Sequence, residues 1–185
     1  MNLSTEPNKI IEIDLPKVAK KGLLLTILSL VGLLVVLALI QQELSFTITF
    51  SSIFLFIIGY IVLIIFHELF HLIGFRLYGK VPWKSMIVGV NLKLGIAYAT
   101  TNVPMTNQAI RKALLLPFWT TGILPAVIGL ALESGLLIGL AAFLIGGAAG
   151  DFAMYKELRK LPDDWLVKDD PEQPKLYLYQ PTRLQ

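Results

Sequence analysis

Four runs of apolar residues, 22–40, 53–75, 113–132 and 135–155, stand out along the chain. Each comes close to or exceeds the roughly 20 residues that a helix needs to cross a bilayer core. The first and third hold no charged side chain, the second holds His67, Glu68 and His71, and the fourth holds Asp151. The pattern predicts an all-α membrane protein with four transmembrane helices, a leader over 1–21, a membrane domain over 22–155 and a tail over 156–185. One segment between spans reads differently. Val88, Val90, Leu92, Leu94, Ile96 and Tyr98 alternate with Gly89, Asn91, Lys93, Gly95 and Ala97. That period of two predicts a bent strand or hairpin between the second and third spans, turning at Asn91 or Gly95. In the leader, Pro7 and Pro16 are expected to interrupt any helix, and residues 10–15 can form a short strand. Thr106, following Pro104, is placed to cap the third helix. Pro117 and Pro125 predict kinks within it, since neighbouring helices can re-satisfy the freed backbone groups. In the tail, residues 176–179 suit a short extended piece.

Composition strengthens this picture. Apolar residues make up 55% of the chain and charged residues 16%, against about 25% charged in soluble domains. There is no cysteine, so disulfides, thiolate metal ligands and thiol nucleophiles are excluded. The first run is too long for the core of a secretory signal and reads as a retained span. The net charge of +3 is explained by where the basic residues lie, without any nucleic-acid partner. If both termini are cytoplasmic, all 16 Lys and Arg residues fall on the cytoplasmic side, and the two outer loops carry Glu43 and Glu133 instead. Basic residues near span ends translocate poorly, so a multi-pass protein with both termini in the cytoplasm is expected.

The chemistry is concentrated in His67-Glu68-Leu69-Phe70-His71. Histidines at i and i+4 share one helical face and can bind a single ion, with the intervening Glu beside it as a general base. Two imidazoles, a carboxylate and an open position suit zinc. Two histidines and seven glutamates placed at random would form this motif roughly once in two thousand shuffles, which favours metal over coincidence. Core histidines held by hydrogen bonds are the bland alternative. Ionisable groups at membrane depth cost about 2.5–3.5 kcal/mol each on insertion scales, which makes them functional suspects. A third ligand should be a carboxylate. Asp151 is the other acid within a span, and the helical rise puts it with His67 and His71 roughly 6–12 Å inside the cytoplasmic boundary. The less favoured alternative is a helix-end acid pairing with Lys156, since an unpaired acid in lipid is costly. Gly146 and Gly150 form a small-xxx-small pair that either brings the fourth span against the second or serves general packing.

HELFH in the second span, LLLPFWTTGILP in the third, GGAAGD late in the fourth and the tail LRKLPDDWLVKDD together resemble the bacterial putative zincin peptidases, small multi-span proteins related to the site-2 proteases. The resemblance runs from about residue 53 onward. It implies His67 and His71 as zinc ligands, Asp151 as the third ligand, Glu68 as catalytic base, and Zn2+ as cofactor. Asp151 departs from the site-2 protease pattern, in which the acidic ligand sits in an Asn-Pro-containing Asp-Gly motif. The expected activity is hydrolysis of peptide bonds near the cytoplasmic face of a bacterial cell membrane, on a membrane-protein or peptide substrate. The segment around residues 83–103 either offers a strand edge to substrate or is a plain hairpin abutting the membrane. Asn91 and Asn102 can serve substrate or simply turns. The alternative function is a non-proteolytic membrane metal-binding or transport component, for which a base between the ligands has no use. Substrate identity and oligomeric state are not encoded in any motif.

Overall fold

The computed structural model describes residues 6–43, 49–91, 96–170 and 173–181. Among them, four helical stretches are long and apolar enough to cross a membrane: Leu15–Gln41, Phe50–Gly79, Asn107–Ala131 and Gly135–Leu158. Two compact units divide the chain, one of residues 1–14, 68–116 and 151–185, the other of residues 15–67 and 117–150.

The second unit is helical. Helix α1 (Leu15–Gln41) carries Pro16 as its second residue. Proline suits the first helical turn, where its missing N–H has no partner to lose. Pro16 therefore starts α1 and does not interrupt it. Leu37 is the buried residue of α1, whereas Leu23, Leu24, Leu28, Val31, Val35 and Leu39 are all exposed. Helix α2 (Phe50–Gly79) likewise exposes Phe54, Leu55, Ile57, Ile61 and Ile65. Apolar surface of this extent marks a membrane or a partner, and the fold is compatible with a membrane protein.

The third apolar stretch is composite. Helix α3 (Asn107–Pro117) runs into a π-helical segment, Phe118–Ile123, and then α4 (Leu124–Ala131). The kinks expected at Pro117 and Pro125 take this form, because proline removes a donor and widens the local hydrogen-bond pattern. The fourth stretch is also broken. Helix α5 (Gly135–Gly147) ends at Ala148, and α6 (Ala149–Leu158) begins at once. Gly146 packs on α1: a Cβ there would stand 2.7 Å from the Gly22 carbonyl oxygen. At Gly150 a Cβ would meet nothing. The Gly146–Gly150 pair therefore does not draw the fourth span onto the second. Contact between those spans runs through Gly59 against Leu140, Gly139 against Phe56, and Phe143 edge-on to Phe56 and Tyr60.

The first unit adds more strand than an all-α class allows. Strands β2 (Met86–Asn91) and β3 (Ile96–Thr101) form the expected hairpin, antiparallel with Asn91 opposite Ile96. Asn91 closes β2, and the alternative turn residue Gly95 lies outside the described residues. A second sheet orders β1 (Lys9–Glu12), β6 (Lys175–Tyr179), β5 (Leu166–Asp169) and β4 (Met105–Thr106), all antiparallel. Its core is Ile11, Leu166, Val167, Leu176 and Leu178, each under 10% exposed. In β6 Leu176 and Leu178 are buried while Lys175, Tyr177 and Tyr179 are half-buried, as a sheet covered on one face requires. Thr106 caps α3 as expected, its Oγ1 accepting from the Ala109 N–H at 3.3 Å.

Candidate metal centre

Helix α2 is unbroken through HELFH, and the boundary between the two compact units falls inside it, between His67 and Glu68. His67, Glu68 and His71 are all buried, at 8%, 9% and 6% exposure, inside a predominantly apolar helix rich in Ile, Leu and Phe. Buried polar groups must be satisfied, and here the partners fix each ring. The Nδ1 of His71 lies 3.2 Å from the Ala113 carbonyl oxygen. A carbonyl only accepts, so Nδ1 carries a proton and Nε2 is the ring atom that faces Asp151. The Nδ1 of His67 lies 3.2 Å from the Thr121 hydroxyl, which itself donates to the Pro117 carbonyl at 2.8 Å. With its hydrogen so used, Thr121 accepts from His67 Nδ1–H. On both rings the outer partner takes Nδ1, which makes Nε2 the candidate ligand atom, the arrangement in which outer partners orient metal-binding histidines.

Asp151 stands in the first turn of α6, where the helix N-terminus favours a carboxylate. The break at Ala148 creates that N-terminus. Asp151 Oδ1 lies 3.3 Å from His71 Nε2. Tetrahedral zinc with bonds of 2.0–2.1 Å holds neighbouring ligand atoms about 3.3 Å apart, so the pair matches the spacing of two zinc ligands. One ligand atom from each of His67, His71 and Asp151 lies within 4.8 Å of the others. His67 belongs to this group through the helix itself, one turn from His71. The donor set, its burial and its tautomers fit zinc. The role of Asp151 as a partner of Lys156 alone does not account for its place against His71.

Close approach of backbone positions the motif. At Gly74, three residues beyond His71, a Cβ would stand 2.8 Å from the Ala113 Cα. The absent side chain lets α3 come near enough for the Ala113 carbonyl to reach His71. Phe75 stacks on the His71 ring with centroids 6.4 Å apart.

Sequence reading missed Thr121, Ala113 and a further acid. Thr121 carried a weak signal, a hydroxyl between two prolines in an apolar span. Ala113 offers only its carbonyl, which no side-chain motif reports. Asp169, at the end of β5, is the acid. Burial pushes its carboxyl up from 3.8 to about 6, opposed by the Thr100 hydroxyl, the Asp170 N–H and the electrostatic pull of His71. Thr100 is 2% exposed and its hydroxyl makes no aligned hydrogen bond.

An acid whose folded pKa is raised holds its proton more tightly when folded. Asp169 therefore costs no stability below about pH 4, and the penalty grows as pH rises through about 6. A shift of about two units corresponds to up to about 3 kcal/mol. Asp169→Asn is expected to raise the melting temperature of chelator-treated protein in detergent at pH 7.5 and to leave it nearly unchanged at pH 4. An equal shift at both pH values, or a loss at pH 7.5, would count against this account.

Comparison with known proteins agrees with the site. Residues 60–166 match the model of the family described as "Putative zincin peptidase", a description that implies zinc. No curated protein and no solved structure matches the chain. The matched region holds HELFH, the hairpin and Asp151, and with more than half its length inside the match the chain belongs to the putative zincin peptidase family.

Proposed function

We propose that the chain is a zinc-dependent intramembrane metallopeptidase, a small bacterial relative of the site-2 proteases that cuts peptide bonds near the cytoplasmic face of the cell membrane. The observation that carries this reading is the meeting of His67, His71 and Asp151, with both Nδ1 atoms held by partners outside the cluster. These three residues would hold the ion, leaving one tetrahedral position open. Bound there, zinc supplies a Lewis acid that polarises the scissile carbonyl and acidifies water. Glu68 is not one of the three clustered ligands and is left to act as the base. Its carboxylate takes a proton from the attacking water as the water oxygen bonds to the carbonyl carbon. The same proton then goes to the amine nitrogen as the C–N bond breaks.

Two features support the remainder of the reading. Among the described residues β2 pairs with β3 and no other strand, and Val88 and Val90 are 56% and 65% exposed, so its outer edge can accept an unwound substrate as an added strand. Strands β1 and β6 are hydrogen-bonded to each other and so lie on one side of any membrane. With four apolar helices between them, the placing of the basic residues supports the cytoplasm as that side. The test is comparative membrane proteomics of cells carrying wild-type protein or Glu68→Gln. An uncut membrane protein should accumulate in the variant. If no protein changes in length or amount, the peptidase reading falls, and a metal-binding or transport component takes its place.

A further inference from the structure

The 3.3 Å between His71 and Asp151 is set by neither residue's own helix, since the two stand 80 positions apart in the sequence. Helix α3 touches both. At its centre, Ala113 accepts from His71 Nδ1 and packs its Cα under Gly74, which fixes α2. At its first residue, Asn107 is fully buried. The Asn107 Nδ2 donates to the carbonyls of Leu158 at 2.9 Å, Leu161 at 3.0 Å and Pro162 at 2.9 Å. Its backbone N–H donates to the Trp165 carbonyl at 2.7 Å. Leu158 is the last residue of α6. The final carbonyls of a helix have no partner within it, and here one neutral amide gathers the helix end and the turn that follows. Its two hydrogens are shared among three oxygens, while its Oδ1 has no hydrogen-bond partner. The amide is thus committed to donation. Asp151 lies seven residues before Leu158, about 10 Å along the same helix axis.

We propose that Asn107 is a positioning residue for the metal centre: by holding the end of α6 on the helix that also holds His71, it sets the height at which Asp151 meets the histidines. The proposal rests on the metal reading above and adds to it how the third ligand is placed. Zinc bonds of about 2.0–2.2 Å tolerate only small displacements of a ligand oxygen, so slack at the α6 end reaches the site. Arg111 also pairs with Asp163 beyond α6, but that pair is partly exposed and binds the turn, not the helix end.

The test compares Asn107→Ala, Asn107→Ser, which keeps one donor, and Val167→Ala, which opens the sheet core without removing any hydrogen bond of Asn107. Zinc affinity is measured by chelator competition, the visible spectrum of the cobalt-substituted protein reports coordination geometry, and melting of the metal-free protein reports stability. Asn107→Ala is expected to lose 10- to 100-fold in zinc affinity and to change the cobalt spectrum, with Asn107→Ser between it and wild type. Val167→Ala should melt earlier while keeping wild-type affinity and spectrum. If the Asn107 variants lose stability yet match Val167→Ala in both metal readouts, Asn107 is a helix cap alone and the proposal is overturned. Should Asn107→Ala fail to fold, Asn107→Ser decides by the same criteria. Wild-type protein that binds neither zinc nor cobalt would instead overturn the metal reading, and this proposal with it.

Discussion

His71→Ala is expected to strip the purified protein of zinc. Zinc sites with four protein ligands bind with about 10–16 kcal/mol at neutral pH, or roughly 3–4 kcal/mol per ligand. Loss of one ligand from a set of three therefore lowers affinity by about two to three decades. His71 is also the residue that binds the others together. It faces Asp151 through Nε2 and α3 through Nδ1, so its removal leaves the Asp151 carboxylate without its imidazole neighbour and the Ala113 carbonyl without its donor. Elemental analysis after dialysis should find wild-type protein near one zinc per chain and the variant near none. His67→Ala should behave likewise, because Thr121 holds its ring as Ala113 holds that of His71. Stoichiometric zinc in either variant would mean that the ion, if present, sits elsewhere.

Glu68→Gln should do the opposite, keeping zinc and losing cleavage. Glutamine matches the size of the carboxylate and keeps a hydrogen-bonding head in a site only 9% exposed, but it cannot accept a proton. A positioned general base contributes about 10²–10⁴ in rate, and a loss of that size in kcat with zinc content unchanged is the expected result. A variant that loses zinc along with activity would show Glu68 to be a ligand. A variant that cleaves at the wild-type rate would show that another group takes the proton.

The long helices and the clustering of His67, His71 and Asp151 were largely legible because each rests on a short-range rule. Apolar length identified four helices long enough to cross a membrane, and the i, i+4 spacing of His67 and His71 placed them on one face. Depth counted from span ends put Asp151 level with them, and the two residues meet at 3.3 Å. The edges were less legible. Helix α3 begins at Asn107, six residues before the apolar run, because Arg111 and Lys112 interrupt hydropathy without interrupting hydrogen bonds. The four-stranded sheet was visible only in pieces. Residues 10–15 and 176–179 suited strands, but Lys9–Glu12 and Lys175–Tyr179 pair across more than 160 residues, and no local pattern reports a partner that distant. The glycine pair misled for a related reason: small residues announce close packing without naming the helix that uses it, and Gly146 serves α1.

The pairing of β1 with β6 also constrains the order in which the protein becomes complete. Strand β6 leaves the ribosome more than 150 residues after β1, and the compact unit holding Glu68, His71 and Asp151 is assembled from three separate stretches of chain. During synthesis His67 and His71 emerge roughly eighty residues before the acid that completes their site. A nascent chain therefore holds the histidine pair for some time without Asp151, and under the proposed function neither firm metal capture nor hydrolysis is expected beside the ribosome until translation has passed that residue.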